Sequence, residues 1–288
     1  MSRSDAPRST GEPISLAGRV AIVTGGSRGL GREMALALAE AGASVVITGA
    51  RQSAALDHSL TLIRDALQEG ADAAATVADV TDPAVCDRMI AETVARFGRL
   101  DALVNNAGLG MRTVSETFNT EPTKFWQTEP QAWRRIVDIN VSGAFYAARA
   151  AVPPMLECGY GKIVNISTSA QTMVRRGYSP YGPSKAALEA ASRIWAQDLA
   201  GTGIDVNVYL PGGASDTDFI PGGKGRTGAD GSLLPASIMR RGIVWLCSAQ
   251  SDGTSGARFI ARLWDEALPP KQAALAARSP AAGEPAIL

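Results

Sequence analysis

The chain contains a single histidine, His58, in 288 residues. A Ser-His-Asp triad or a polyhistidine metal site would have to be built on that one side chain, so both are disfavoured. Cysteine is almost as scarce. Cys86, Cys158 and Cys247 lie far apart and show no metal-ligand spacing, which fits reduced structural thiols rather than a disulfide framework. Net charge is also missing, because 28 Lys+Arg balance 28 Asp+Glu. That balance gives no electrostatic footprint for nucleic acid. No apolar run approaches membrane-spanning length, and residues 1–13 are polar without the apolar centre of a secretory signal. The expectation is a cytoplasmic protein with neither nucleic acid nor membrane as partner.

What is present is the material of a globular core: 45% apolar and 19% charged residues. The length suits one large α/β domain. Residues 1–17, rich in Ser, Pro and Arg, read as a flexible arm. Residues 18–266 read as the folded domain, and 267–288 as an Ala/Pro-rich tail trailing over the surface or a partner. Short, mostly apolar runs predict buried parallel strands at 20–23, 44–48, 74–77, 100–104, 162–167 and 205–210, with a last edge strand at 257–260. Between them, helical patterns cover 32–41, 54–69, 83–97, 131–158 with a bend at Pro153-Pro154, 181–199 and 235–248. This alternation predicts a doubly wound parallel sheet in three α/β/α layers, a Rossmann-type single domain. Two connections, 109–130 and 212–234, exceed ordinary loop lengths and are candidate lids or binding loops.

Two motifs carry chemistry. Thr24-Gly25-Gly26-Ser27-Arg28-Gly29-Leu30-Gly31 lies between the first strand and first helix. Glycines there permit a sharp turn and close approach of a pyrophosphate to helix N–H groups and the positive end of the helix dipole. The second motif is Tyr181-Gly182-Pro183-Ser184-Lys185. On a helix, positions four apart share a face, and Pro183 is tolerated in a first turn. An ammonium beside a phenol favours the phenolate, so the Tyr181 pKa is expected to fall below its usual value of about 10.

The glycine spacing, Gly-x-x-x-Gly-x-Gly, together with Asn105-Asn106-Ala107-Gly108, Asn140, the Tyr181/Lys185 pair and Pro211-Gly212, resembles the classical short-chain dehydrogenase/reductase family. The resemblance covers roughly residues 16–262. It implies a nicotinamide dinucleotide bound by Gly25, Ser27, Arg28, Leu30 and Gly31 at its diphosphate, by Asp79 and Val80 at adenine, and by Asn106, Ala107, Gly108, Tyr181, Lys185, Pro211 and Gly212 towards the nicotinamide end. Asp79 is equally placed to open the following turn. The resemblance further implies Tyr181 as acid–base, Lys185 as its partner, and Asn140 positioning a water in a proton relay. The family's fourth catalytic group lies thirteen residues before the tyrosine, which lands on Thr168; a shift of one residue selects Ser167 or Ser169.

An acidic residue at the end of the second strand would bind the adenosine ribose and repel a 2′-phosphate. The matching position is Gly49, followed by Ala50 and Arg51. Arg28 and Arg51 are suited to a 2′-phosphate, so NADP(H) is favoured over NAD(H). The expected reaction is reversible hydride transfer between NADP(H) and a secondary alcohol or ketone, in a homodimer or homotetramer. The alternatives are a non-catalytic dinucleotide-binding regulator or scaffold, and a lyase or epimerase of the same fold. Arg175-Arg176 could meet a substrate carboxylate or phosphate. One extra residue before Thr217 puts the family's threonine contact with the nicotinamide amide out of register.

Overall fold

The computed structural model describes residues 14–222, 227–228 and 231–279. Strand β1 (Val20–Val23) enters the sheet first and is followed by helix α1 (Gly29–Glu40) and β2 (Ser44–Gly49). Then come α2 (Ala54–Asp65), β3 (Ala73–Val77), α3 (Pro83–Phe97) and β4 (Ala102–Asn105). The second half runs α4 (Pro130–Val137), α5 (Ala144–Cys158), β5 (Gly161–Ile166), α6 (Ala170–Met173) and α7 (Tyr181–Asp198). It closes with β6 (Ile204–Leu210), α8 (Arg240–Leu246), β7 (Arg258–Ile260), α9 (Pro270–Ala277) and β8 (Arg278–Ser279).

The sheet order is β3-β2-β1-β4-β5-β6-β7-β8. All neighbours are parallel except the last pair, in which β8 runs antiparallel to β7. Successive strand residues feed opposite cores. Ala21, Val23, Val45, Ile47 and Tyr209 pack with α1, α2, α8 and α9 on one face. Ile22, Val46, Leu103, Ile163 and Val206 pack with α3, α5 and α7 on the other. Burial on both faces is why these strands carry uncharged runs rather than alternating polarity. Strands β2 and β3 lie on one side of β1, and β4 on the other. The chain therefore reverses its winding between β1 and β4, and the carboxyl ends there border a crevice, the usual ligand position of such sheets.

Local chemistry sets the helix ends. Asp82 caps α3 by accepting from Ala84 N at 2.9 Å, with Pro83 in the first turn, and Gly98 closes it in a left-handed conformation. The departure from α geometry expected at Pro153-Pro154 lies elsewhere. Helix α5 runs through both prolines, held to the sheet by buried Ala147, Ala151 and Met155. The irregular turn is π-helical, Asp138–Gly143, between α4 and α5.

The C-terminal segment also differs from the expectation. Strand β7 is not the edge, and residues 270–279 do not trail. Ala273, Ala274 and Ala277 of α9 are buried in the core, and small alanines let the helix sit close. Residues 280–288 lie outside the described residues, as do residues 1–13 of the arm. The arm's last part is packed, with Leu16 buried and its N–H donating to Ala41 O at 2.7 Å. Within connection 109–130, two short 3-10 turns form at Met111–Thr113 and Phe125–Gln127.

Candidate active site

The glycine loop is held from below. Thr24 Oγ1 accepts from the N–H groups of Asn106 and Ala107, both at 3.0 Å. Asn106 Nδ2 donates in return to the carbonyls of Thr24 and Gly25 at 2.9 and 3.0 Å. The Asn106 side chain thus locks the cradle to the end of β4. A Cβ on Gly25 would stand 2.9 Å from Ala107 Cα, so only glycine allows this approach. Helix α1 then starts without a side-chain cap and with no acidic residue in its first turn, unlike α2 and α3, which Ser53 and Asp82 cap. Its first N–H groups remain available to an anion.

The expected adenine and ribose contacts separate into exposed and buried groups. Asp79 is exposed, and its Oδ1 accepts from Thr81 N and Thr81 Oγ1 at 3.0 and 2.8 Å, so it does open the turn. Val80 is buried against Gly143 of the π-helical turn. Arg51 is exposed beside Gly49, and Arg28 is exposed with Asp218 3.4 Å away.

Tyr181 opens α7 and Lys185 lies one turn later on the same face. The Lys185 ammonium is buried and donates to Ile166 O at 2.8 Å. Burial holds its pKa down to about 8, against a partial pull upward from the Glu189 carboxylate. Asn140, in the π-helical turn, accepts from Leu109 N at 2.8 Å and donates to Leu109 O and Ser184 Oγ, each at 2.9 Å. Its side chain fixes the segment after Gly108. A Cβ on Gly108 would fall 3.2 Å from Asn140 Oδ1 and 3.7 Å from Lys185 Nζ, so this glycine keeps the face between them open.

Of the three hydroxyls near residue 168, Thr168 is the one close enough to the Tyr181 phenol to favour its ionised form. Ser169 instead caps α6, accepting from Thr172 N at 3.2 Å. Ser167 Oγ is buried without a hydrogen-bond partner among the described residues. The expected fall in the Tyr181 pKa is not what the structure gives. Burial pushes the phenol up to about 12, and the nearby Thr168 hydroxyl offsets only part of that. The Lys185 ammonium is directed at the Ile166 carbonyl and is itself desolvated, so its field does not overcome the burial of the phenol.

The long loops meet over this pair. Phe219 lies edge-on to the Tyr181 ring, centroids 5.6 Å apart, and also covers Gly110. Arg112 Nη1 donates to Asp218 O at 2.6 Å, tying loop 212–222 to connection 109–130. Thr217, despite the extra residue before it, reaches the glycine loop, 3.1 Å from where a Gly29 Cβ would lie. Gly212 takes φ +91° after buried Pro211, whose carbonyl accepts from Arg262 N at 3.0 Å. Arg175 stacks on the Tyr178 ring at 5.3 Å, a structural use for half of the Arg175-Arg176 pair. Sequence reading missed Phe219 and Arg112, because nothing in their spacing marks a loop residue that reaches another loop.

Comparison with known proteins decides the family. The model of the short chain dehydrogenase family matches residues 19–221. The chain belongs to this family. It is 37% identical over 232 residues to a short-chain type dehydrogenase/reductase of Picea abies, covering 80% of this chain and 82% of that one. It is 33% identical over 199 residues to the 3-oxoacyl-[acyl-carrier-protein] reductase FabG of Escherichia coli K12, covering 69% and 75% of the two chains. The solved structure of a dehydrogenase/reductase from Sinorhizobium meliloti 1021 superposes with a TM-score of 0.72 at 32% identity, over 85% of this chain and 94% of that one. As a short-chain dehydrogenase/reductase, the protein is an NAD(P)-dependent oxidoreductase acting on C=O/CH–OH groups. The open α1 N-terminus and the clear face of Gly108 fit a nicotinamide dinucleotide along the crevice.

Proposed function

We propose that the enzyme interconverts a ketone and a secondary alcohol with NADP(H), with Tyr181 as the acid–base. One observation carries this reading: Tyr181 and the buried Lys185 lie one turn apart on the same face of α7, with Thr168 on the phenol's side. Bound nicotinamide supplies or accepts the hydride. The residues of this chain handle the oxygen and its proton. With its pKa raised, the phenol is protonated at neutral pH and ready to donate to a carbonyl oxygen during reduction. Thr168 donates its one hydroxyl proton to the same oxygen. Lys185 sets the charge beside the phenol and holds the ribose hydroxyls, and Asn140 fixes the wall on which a relay water is placed.

Gly25, Ser27, Arg28, Leu30 and Gly31 would hold the diphosphate, Asp79 and Val80 the adenine end, and Asn106, Ala107, Gly108, Pro211 and Gly212 the nicotinamide end. Arg28 and Arg51, exposed and near a second strand that ends in glycine rather than an acid, support NADP(H). The FabG relative named above is a 3-oxoacyl reductase, which supports a ketone substrate. Exposed Phe145 on α5 and Ile194 on α7, flanking Trp195, support assembly as a homodimer or homotetramer. No helix among the described residues is long and apolar enough to cross a membrane, in keeping with work in the cytoplasm.

The test is nicotinamide absorbance with a panel of ketones and alcohols, NADPH and NADP⁺ against NADH and NAD⁺. Turnover with NADPH and a ketone supports the reading. Tight cofactor binding with silence across the panel favours a regulator or scaffold, and product formation without net cofactor oxidation favours a lyase or epimerase.

A further inference from the structure

Arg258 is a buried cation that the mechanism does not use. It sits on β7, 8% exposed, and each nitrogen of its guanidinium is engaged. Nε donates to both carboxylate oxygens of buried Glu189, at 3.0 and 3.1 Å. Nη2 donates to the backbone carbonyl of Thr168 at 2.8 Å, and Nη1 to Ser279 Oγ of β8 at 3.1 Å. Glu189 lies on α7, one turn beyond Lys185, and is 4% exposed.

A buried ion pair is a poor device for stability alone. Removing two charges from water costs several kcal/mol each, and well-packed apolar residues often serve as well. What this pair adds is geometry. Thr168 lies just past the end of β5, before α6 begins, where no strand register fixes its backbone. The guanidinium is planar and anchored on Glu189, so it sets where the Thr168 carbonyl points. The same residue carries the hydroxyl read above as the oxygen-holding group beside Tyr181. We propose that Arg258, held by Glu189, is a positioning residue that aims the Thr168 hydroxyl at Tyr181 through the Thr168 backbone carbonyl. The inference rests on the reading of Thr168 given above, and it links the edge of the sheet and its C-terminal strand to the oxygen-holding group.

The test is a double-mutant cycle with NADPH and the ketone that wild-type enzyme reduces fastest, joined to a crystal structure of the variant. Arg258→Met should lower kcat roughly 10- to 100-fold, the effect of a misplaced reacting group, with the NADPH KM essentially unchanged. In a Thr168→Ala background the same substitution should change kcat by less than about 3-fold, since coupled residues are not additive. In the Arg258→Met crystal structure, the Thr168 hydroxyl should have left Tyr181 while Tyr181 keeps its place on α7. If Arg258→Met does not fold, Arg258→Met/Glu189→Met removes both charges together and carries the same expectations. Equal losses in both backgrounds, an unchanged kcat, or Thr168 in place in the variant crystal overturns the inference. A Thr168→Ala enzyme with wild-type turnover overturns the reading of Thr168 and the inference with it.

Discussion

Phe219 and Tyr181 stack edge to face, ring centroids 5.6 Å apart at 63°. The contact brings an apolar ring from loop 212–222 onto the phenol proposed as acid–base, and Arg112 anchors the loop by its bond to Asp218 O. A ketone arriving at the phenol must lie against Phe219 or displace it. Phe219→Ala should therefore raise KM for small ketones by about 3- to 10-fold, a few contacts' worth of packing, and extend turnover to bulkier ones. Steady-state kinetics on a graded ketone series measures this. An unchanged size preference would remove Phe219 from the substrate wall.

Lys185 makes the apo-enzyme's stability depend on pH. Below pH 8, folded and unfolded chains both hold its proton, and the folded chain bears the desolvation of the buried ammonium. Between about 8 and 10.5 the folded chain releases the proton while the unfolded chain keeps it, so this unfavourable contribution fades as pH rises. Lys185→Met should stabilise the apo-protein at pH 7 by about 1–2 kcal/mol, the bond to Ile166 O offsetting part of the larger gain. The advantage should shrink across pH 8 to 10.5. Folded Tyr181 stays protonated across this range with or without the neighbouring ammonium, so it cancels in the difference. Urea unfolding at pH 7 and pH 10 checks the sign.

The cofactor preference should turn on residue 49. A Cβ on Gly49 would meet its nearest neighbours at 3.4 to 3.7 Å, ordinary contact, so a side chain fits there. Gly49→Asp should shift the NADPH/NADH ratio of kcat/KM towards NADH by at least about 10-fold, the effect of a carboxylate opposing a 2′-phosphate. Arg51→Ala should move the ratio the same way without adding affinity for NADH. A wild-type enzyme that already favours NADH would contradict the assignment.

Two of the three hydroxyls near residue 168, Thr168 and Ser169, should separate cleanly. Thr168→Ala should lower kcat about 100-fold, as for loss of one donor to a reacting oxygen, and Thr168→Ser should retain most of it. Ser169→Ala should lose only the α6 cap, about 1 kcal/mol of stability, with kcat nearly intact. Kinetics and thermal melts on the three variants distinguish the roles.

Much of this was legible in the sequence for a physical reason. Strands buried on both faces are short and mostly apolar, so Val20–Val23 and Ser44–Gly49 stand out, and the glycine loop follows the first of them. Asp82-Pro83 and Gly98 mark both ends of α3. Long-range pairings left no such trace. The Thr168 partner rests on a residue count, while Phe219, Arg112 and Arg258 act across the chain from loops and from β7, next to the edge. The pKa of Tyr181 was misread because spacing gives proximity to Lys185 but says nothing of burial, which outweighs it here. Alanines 273, 274 and 277 looked like tail composition; packed against the core, they are a helix face.

The central claim is that one phenol moves the proton. The most direct measurement is Tyr181→Phe, which keeps the ring that Phe219 packs on and removes only the hydroxyl. Single-turnover reduction of the best ketone, with NADPH binding followed by fluorescence in the same samples, reads both halves. The account expects turnover to fall by at least about 1,000-fold, within the range for loss of an acid–base group, while the NADPH Kd changes by less than about 3-fold. A Tyr181→Phe enzyme that reduces the ketone near the wild-type rate would contradict it.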